Sequence, residues 1–130
     1  MVRLIAMMSI VALLVGFGIF EEIYVRDIIT NLTAHAAELE TLIKDSEEDL
    51  TKPEIAEKLD EIDAFWHGRV RFLTYIVNFE KVRPVTESIS KLKTALAEED
   101  YSLSIENATL LRFYAEHLTY VMGAEISNIL

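Results

Sequence analysis

Leu4-Ile-Ala-Met-Met-Ser-Ile-Val-Ala-Leu-Leu-Val-Gly-Phe-Gly-Ile-Phe20 runs straight into Glu21-Glu-Ile-Tyr-Val-Arg-Asp27, and the junction between the two decides the architecture. The first stretch is 17 residues with no charge and a single hydroxyl, Ser9. As a helix it is about 25 Å long, close to the lower limit of roughly 17 apolar residues for crossing a bilayer. Val2 and Ile23 extend its apolar surface, and Phe20 and Tyr24 stand where an interfacial aromatic belt forms. No charged residue marks a solvent-facing side, which separates this run from an amphipathic core helix. Arg3 and the α-amino group precede it and two acids follow, so the positive-inside rule puts the N-terminus in the cytoplasm and the remainder outside the cell membrane. A cleaved signal peptide is the competing reading. It needs an apolar core of about 7–15 residues with small residues before the cut, and the chain offers Gly16-Phe17-Gly18 instead of Ala-x-Ala. The expected layout is therefore a transmembrane anchor over 1–20 (alternatively a signal peptide) and an extracytoplasmic domain over 21–130.

Charge separates the two parts. All 22 acids lie at or beyond Glu21, with 11 of the 12 basic residues, so 21–130 carries a formal charge of −11. Binding to nucleic acid through phosphate neutralisation needs clustered Lys and Arg and is not expected. An anionic lipid surface would also repel such a domain, unless its basic residues face the membrane. The chain has no cysteine, which removes disulfides, thiolate nucleophiles and thiolate metal sites together.

Beyond Glu21 the apolar spacing is helical. Ile28, Leu32, Ala36, Leu39 and Ile43 step by three or four, with no Pro or Gly before Leu50, so the anchor helix is expected to continue into the domain. Asp45 and Glu47-Glu48-Asp49 mark its end, since acids at a helix C-terminus oppose the dipole. Thr51 and Glu54 have capping-box spacing, and Pro53 suits the first turn of a second helix. Ile55, Leu59, Ile62, Trp66, Val70, Leu73 and Val77 form its seam. Pro84 makes an unbroken helix costly, about 3 kcal/mol in an interior position, so a turn is expected at Glu80–Arg83. A third helix places Val85, Ile89, Leu92 and Leu96 inward, and Glu98-Glu99-Asp100 ends it. Asp100 is the expected N-cap of a fourth, with Leu103, Leu111, Tyr114, Leu118, Val121 and Ile126 inward and Leu110 and Phe113 broadening the stripe. Short connections make consecutive helices antiparallel. The fold class is all-α: an N-terminal transmembrane helix continuing into an antiparallel bundle of about four helices.

Three residues before His35, His67 and His117 stand Leu32, Ala64 and Tyr114, so the Glu-x-x-His di-iron pattern is missing at each. There is no His-Glu-x-x-His, phosphate-cradling glycine loop or Gly-x-Ser-x-Gly. The three histidines fall at similar depth along a folded bundle, a possible zinc constellation, yet only His35 lies near an apolar seam. Glu54/Glu57 and Asp60/Glu61/Asp63 read as a solvated face, not as acid–base pairs. Asn31-Leu-Thr33 and Asn107-Ala-Thr109 match the glycosylation pattern but fall inside expected helices. No enzyme activity, cofactor or metal is expected. Trp66, Phe72, Tyr75, Phe79, Phe113, Tyr114 and Tyr120 give the second and fourth helices more aromatic surface than one seam needs, and form the candidate interaction surface.

An apolar run ending Gly16–Phe20, a mid-helix Trp66, Leu73-Thr-Tyr-Ile-Val-Asn-Phe-Glu80 leading into Val85-Thr-Glu-Ser-Ile-Ser-Lys-Leu-Lys93, and the close Ser127-Asn-Ile-Leu130 together resemble the short bacterial proteins of domain of unknown function 4363, found largely in Firmicutes. The resemblance covers nearly the whole chain. It implies a helical architecture at the bacterial envelope and no mechanism. Family members show a His and a Glu before the third helix, where this chain has Asn78 and Glu80. The functional expectation is a membrane-tethered interaction or scaffold module, an accessory subunit with a protein partner or a second copy. The alternative is a binder of an apolar ligand, lipid or peptide in a groove between helices 2 and 4.

Overall fold

A computed structural model describes the backbone of residues 1–76 and 79–129, and the side chains of these except residues 76, 119 and 121–129. The described residues form four helices: α1 (Val2–Lys44), α2 (Pro53–Ile76), α3 (Phe79–Ala97) and α4 (Tyr101–Ile129). The seam positions Val77, Val121 and Ile126, the residue Asn78 and the closing Ser127–Leu130 lie outside the described side chains.

α1 is a single helix of 43 residues, about 65 Å long. Its two halves meet different surroundings. Val25, Ile28, Ile29, Leu32, Ala36, Leu39 and Ile43 are buried, whereas nearly every large apolar side chain from Val2 to Ile23 is more than half exposed. Full burial stabilises an Ile or Leu by about 1.5–3 kcal/mol, so the second half is held by the bundle and the first gains nothing from it. The first half is long and apolar enough to cross a membrane.

The bundle is a closed ring of neighbours. α1 lies beside α2 and α4, and α3 lies beside α2 and α4; the diagonals α1–α3 and α2–α4 do not approach closely among the described residues. The backbones come nearest where α4 meets α1 and α3. The inward stripe of α4 explains this, being Ser104, Asn107, Ala108, Leu111, Ala115 and Leu118. Small side chains let two helix axes close up. Leu103, expected inward, is 37% exposed, because Ser104 and Asn107 take the inward positions of that turn. On α2 and α3 the expected seam is buried at Ile55, Leu59, Ile62, Trp66, Leu73, Val85, Ile89 and Leu92, with Val70 and Leu96 half-buried against it.

Two boundaries differ from the sequence reading. Residues 80–83 are helical, and Pro84 lies inside α3. α3 is helical from Phe79 onward, so Pro84 lies more than one turn inside it and no turn falls at 80–83. Val82 explains the shift: fully buried, it anchors the first turn of α3 to the core. At the start of α2, Pro53 holds the first helical position as expected. Thr51 does not cap it. Its amide and hydroxyl both donate to the Asp49 carboxylate, so that Asp49 closes the turn, and the Lys52 carbonyl accepts the Ile55 amide at 3.1 Å. A residue preceding proline is held extended, which makes Lys52 the last non-helical residue and leaves Thr51 one position too early.

Candidate interaction surface

The seven aromatics separate into three environments. Trp66 is core, 1% exposed, with its indole N–H donating to Thr86 Oγ1 at 2.8 Å. Phe72 and Tyr114 are half-buried against the core. Phe72 meets the Tyr24 ring edge-on at 5.0 Å, and Tyr114 meets Phe113 at 5.9 Å. Tyr75, Phe79, Phe113 and Tyr120 are exposed. Tyr75 and Phe79 bracket the α2–α3 connection, while Phe113 and Tyr120 share a stripe on α4 with His117, whose ring stacks on Phe113 at 6.2 Å. α2 and α4 stand on a diagonal, so the bundle core fills the space between them.

Cross-helix polar contacts fix the register. On the α1–α2 face, Lys58 pairs with Glu38, His35 lies 3.6 Å from Glu61, and the Tyr24 ring meets Phe72. Each step back along α1 is matched by one forward along α2, so the end of α2 lies level with Phe20 and Glu21. On the α2–α3 face, Lys93 pairs with Asp63. On the α1–α4 face, the buried Glu40 carboxylate accepts from Lys44 Nζ and Arg112 Nε, both at 2.6 Å, and Arg112 also reaches Glu116. Burial raises the Glu40 pKa, but the hydrogen bonds from Arg112 and Lys44 outweigh it and hold the carboxyl below its ordinary value. The Lys93 hydrogen bond lowers Asp63 in the same direction, against a smaller opposing effect of burial.

The histidines have separate partners. His35 Nδ1 accepts from Lys58 Nζ at 2.8 Å, His67 Nδ1 lies 2.9 Å from Asp63 Oδ1, and His117 stacks on Phe113. Among the described residues no group of three His, Cys, Asp or Glu side chains could hold a metal ion. A cleft of ≈ 250 Å³ between α2 and α3 is lined by Asp63, Trp66, His67, Thr86, Ile89, Ser90 and Lys93. A wider, open hollow of ≈ 420 Å³ lies on the outer face of α1 over Ala37, Glu38, Thr41 and Leu42. Ligand pockets are mostly enclosed and apolar, with volumes of about 300–1,000 Å³. The first feature is smaller than that and polar at its mouth; the second is a shallow surface.

Sequence reasoning missed the Glu40–Arg112 pair. Glu40 stands four residues after Ala36, on the inward stripe of α1, and an acid at a seam position is the signal that could have found it. It also missed how charge is distributed along the bundle. The α1–α2 turn with the start of α2 (45–54) and the α3–α4 turn (98–100) hold eight acids and one lysine at one end. Segment 69–83, at the opposite end, holds Arg69, Arg71, Lys81 and Arg83 against Glu80, a formal charge of +3.

The model of one protein family, described as Domain of unknown function (DUF4363), matches residues 19–129. Neither a curated protein nor a solved structure matches the chain.

Proposed function

The chain belongs to the DUF4363 family, and from that premise we propose a non-catalytic, single-pass membrane module whose bundle serves as an interaction or scaffold unit, an accessory subunit at the bacterial cell envelope. The observation that carries this reading is the change of surroundings along α1. One unbroken helix is free of charge from Leu4 to Phe20, keeps its large apolar side chains exposed there, and acquires a buried face at Val25. An exposed apolar surface of that extent marks a membrane or protein contact, and the charge-free run from Leu4 to Phe20, about 25 Å of helix, meets the lower limit for crossing a bilayer. Arg3 before the span and the acids after it favour a bundle on the outer side, by the positive-inside rule.

The exposed stripe Phe113, His117 and Tyr120 on α4 is the face offered to a protein partner, since aromatic side chains at helical spacing are enriched at interface centres. Full-length tagged protein, gently solubilised from its membrane, tests the proposal. A second protein at fixed stoichiometry, lost on Phe113→Ser/Tyr120→Ser substitution, is the expected result. Recovery of the chain as a lone monomer would overturn it, and a lone chain carrying lipid would favour the ligand-binding reading.

A further inference from the structure

We propose that the α2–α3 tip is a second membrane contact: Tyr75 and Phe79 seat in the interface of the leaflet from which α1 emerges, and the basic side chains around them face anionic lipid headgroups. The inference deepens the anchored reading and rests on it.

Level comes first. The Tyr24 ring stacks over Phe20 at 6.0 Å and meets Phe72 edge-on at 5.0 Å. Tyr75 lies three residues beyond Phe72, about 4.5 Å further along the axis, which sets it level with Glu21, one residue past the charge-free run. α3 begins at Phe79, beside it. Exposure comes second. Tyr75 is 80% and Phe79 56% exposed, although Leu73 and Val82 on the same turns are fully buried. The tip thus turns two aromatic rings outward at the depth where Tyr and Phe fit the boundary between water and hydrocarbon.

Charge is the third and independent observation. The bundle is strongly acidic, yet 69–83 carries +3 while the remainder of 21–130 holds seven bases and 21 acids. Arg71 is exposed and has no carboxylate partner among the described residues. Arg69 stacks on Phe65, its guanidinium 3.9 Å from the ring centre. Arg83 pairs with Glu80 and Glu87 on its own helix. The eight acids of the two far turns are about 35 Å away, the length of α2. That is several Debye lengths at physiological salt. Glu21, Glu22 and Asp27 of α1 stand at the same level beside Arg26 and the bases of 69–83, so the membrane meets a nearly neutral end whose bases lie on α2 and α3, and it is screened from the strongly acidic turns. A bundle held at two points cannot swing freely about α1, which fixes the side of α4 presented to a partner.

A single-cysteine experiment tests this, because the natural chain has none. Full-length protein is reconstituted into vesicles of phosphatidylcholine with one-third phosphatidylglycerol, and carries an environment-sensitive fluorophore at Glu80→Cys (tip), Glu54→Cys (far end) or Val11→Cys (anchor). Nitroxide lipids labelled at the headgroup or mid-chain are the quenchers. The expected result is headgroup-level quenching at 80, mid-chain quenching at 11 and none at 54. Tyr75→Ser/Phe79→Ser or Arg71→Glu/Arg83→Glu should reduce quenching at 80 by about threefold or more and leave position 11 unchanged. A water-exposed label at 80 with a lipid-quenched label at 11 overturns the tip contact while the anchor stands. A water-exposed label at 11 overturns the anchor and the tip contact with it. Shielding of 80 from aqueous iodide without lipid quenching means that a second copy covers the tip, and also overturns the proposal.

Discussion

Glu99 adopts a left-handed backbone, φ 54°, at the end of α3. Its amide donates to the Leu96 carbonyl, and that of Asp100 to Ala95, the double bond of a Schellman termination. Glycine suits this position best, since a Cβ there meets the neighbouring carbonyl. Asp100 then serves two helices. Its amide closes α3, while its carboxylate accepts the Leu103 amide at 3.0 Å and its carbonyl the Ser104 amide at 2.9 Å. Opposite effects are expected from adjacent substitutions: Glu99→Gly stabilises by about 0.5–1 kcal/mol, and Asp100→Ala destabilises by about 1 kcal/mol. Denaturant melts of the two variants in one detergent check both signs. The Asp100 cap was legible from its place before an apolar run. The strain at Glu99 was not, because glutamate in a sequence gives no sign of a left-handed backbone.

At the scale of elements, the α1–α4 pair is held by small-residue packing and by the clamp of Arg112 and Lys44 on Glu40. With its carboxyl lowered in the folded state, Glu40 contributes stability that is complete above the ordinary carboxylate range of about pH 4–4.5 and is lost as the pH falls through the lowered value. Asp63, held down by Lys93, works in the same sense between α2 and α3. Glu40→Gln should cost about 1–3 kcal/mol at neutral pH, since Arg112 loses a charge-assisted partner in a half-buried site. The difference from the natural protein should shrink as the pH is taken below 4. Thermal melts across that range check it, and a difference that stays constant to low pH would remove Glu40 from the account. Helix seams and the Asp100 cap could be read from spacing, and an acid on the inward stripe marks Glu40; its partner could not be read, because Arg112 is 72 residues away along the chain.

For the whole molecule, the change at Val25 predicts that the bundle folds without the first half of α1. A chain starting at Glu21 should remain soluble without detergent and keep its helical content, because no buried core residue precedes Val25. Circular dichroism and size exclusion of that truncation check the prediction; an aggregated or unfolded product would mean that the apolar half contributes to the fold. The sequence by itself determined an apolar helix entering an acidic, all-helical bundle and placed three of the four helices within a few residues. These follow from periodicity, charge-free length and turn chemistry, all local properties of the chain. Tertiary structure alone decided that α2 and α4 are diagonal, that Tyr75 and Phe79 stand outside the core, that Pro84 is carried within α3, and that the acidic turns gather at the end of the bundle far from the apolar half of α1. Each of these depends on which helices are neighbours and at what register, and contacts between residues distant in the chain set both.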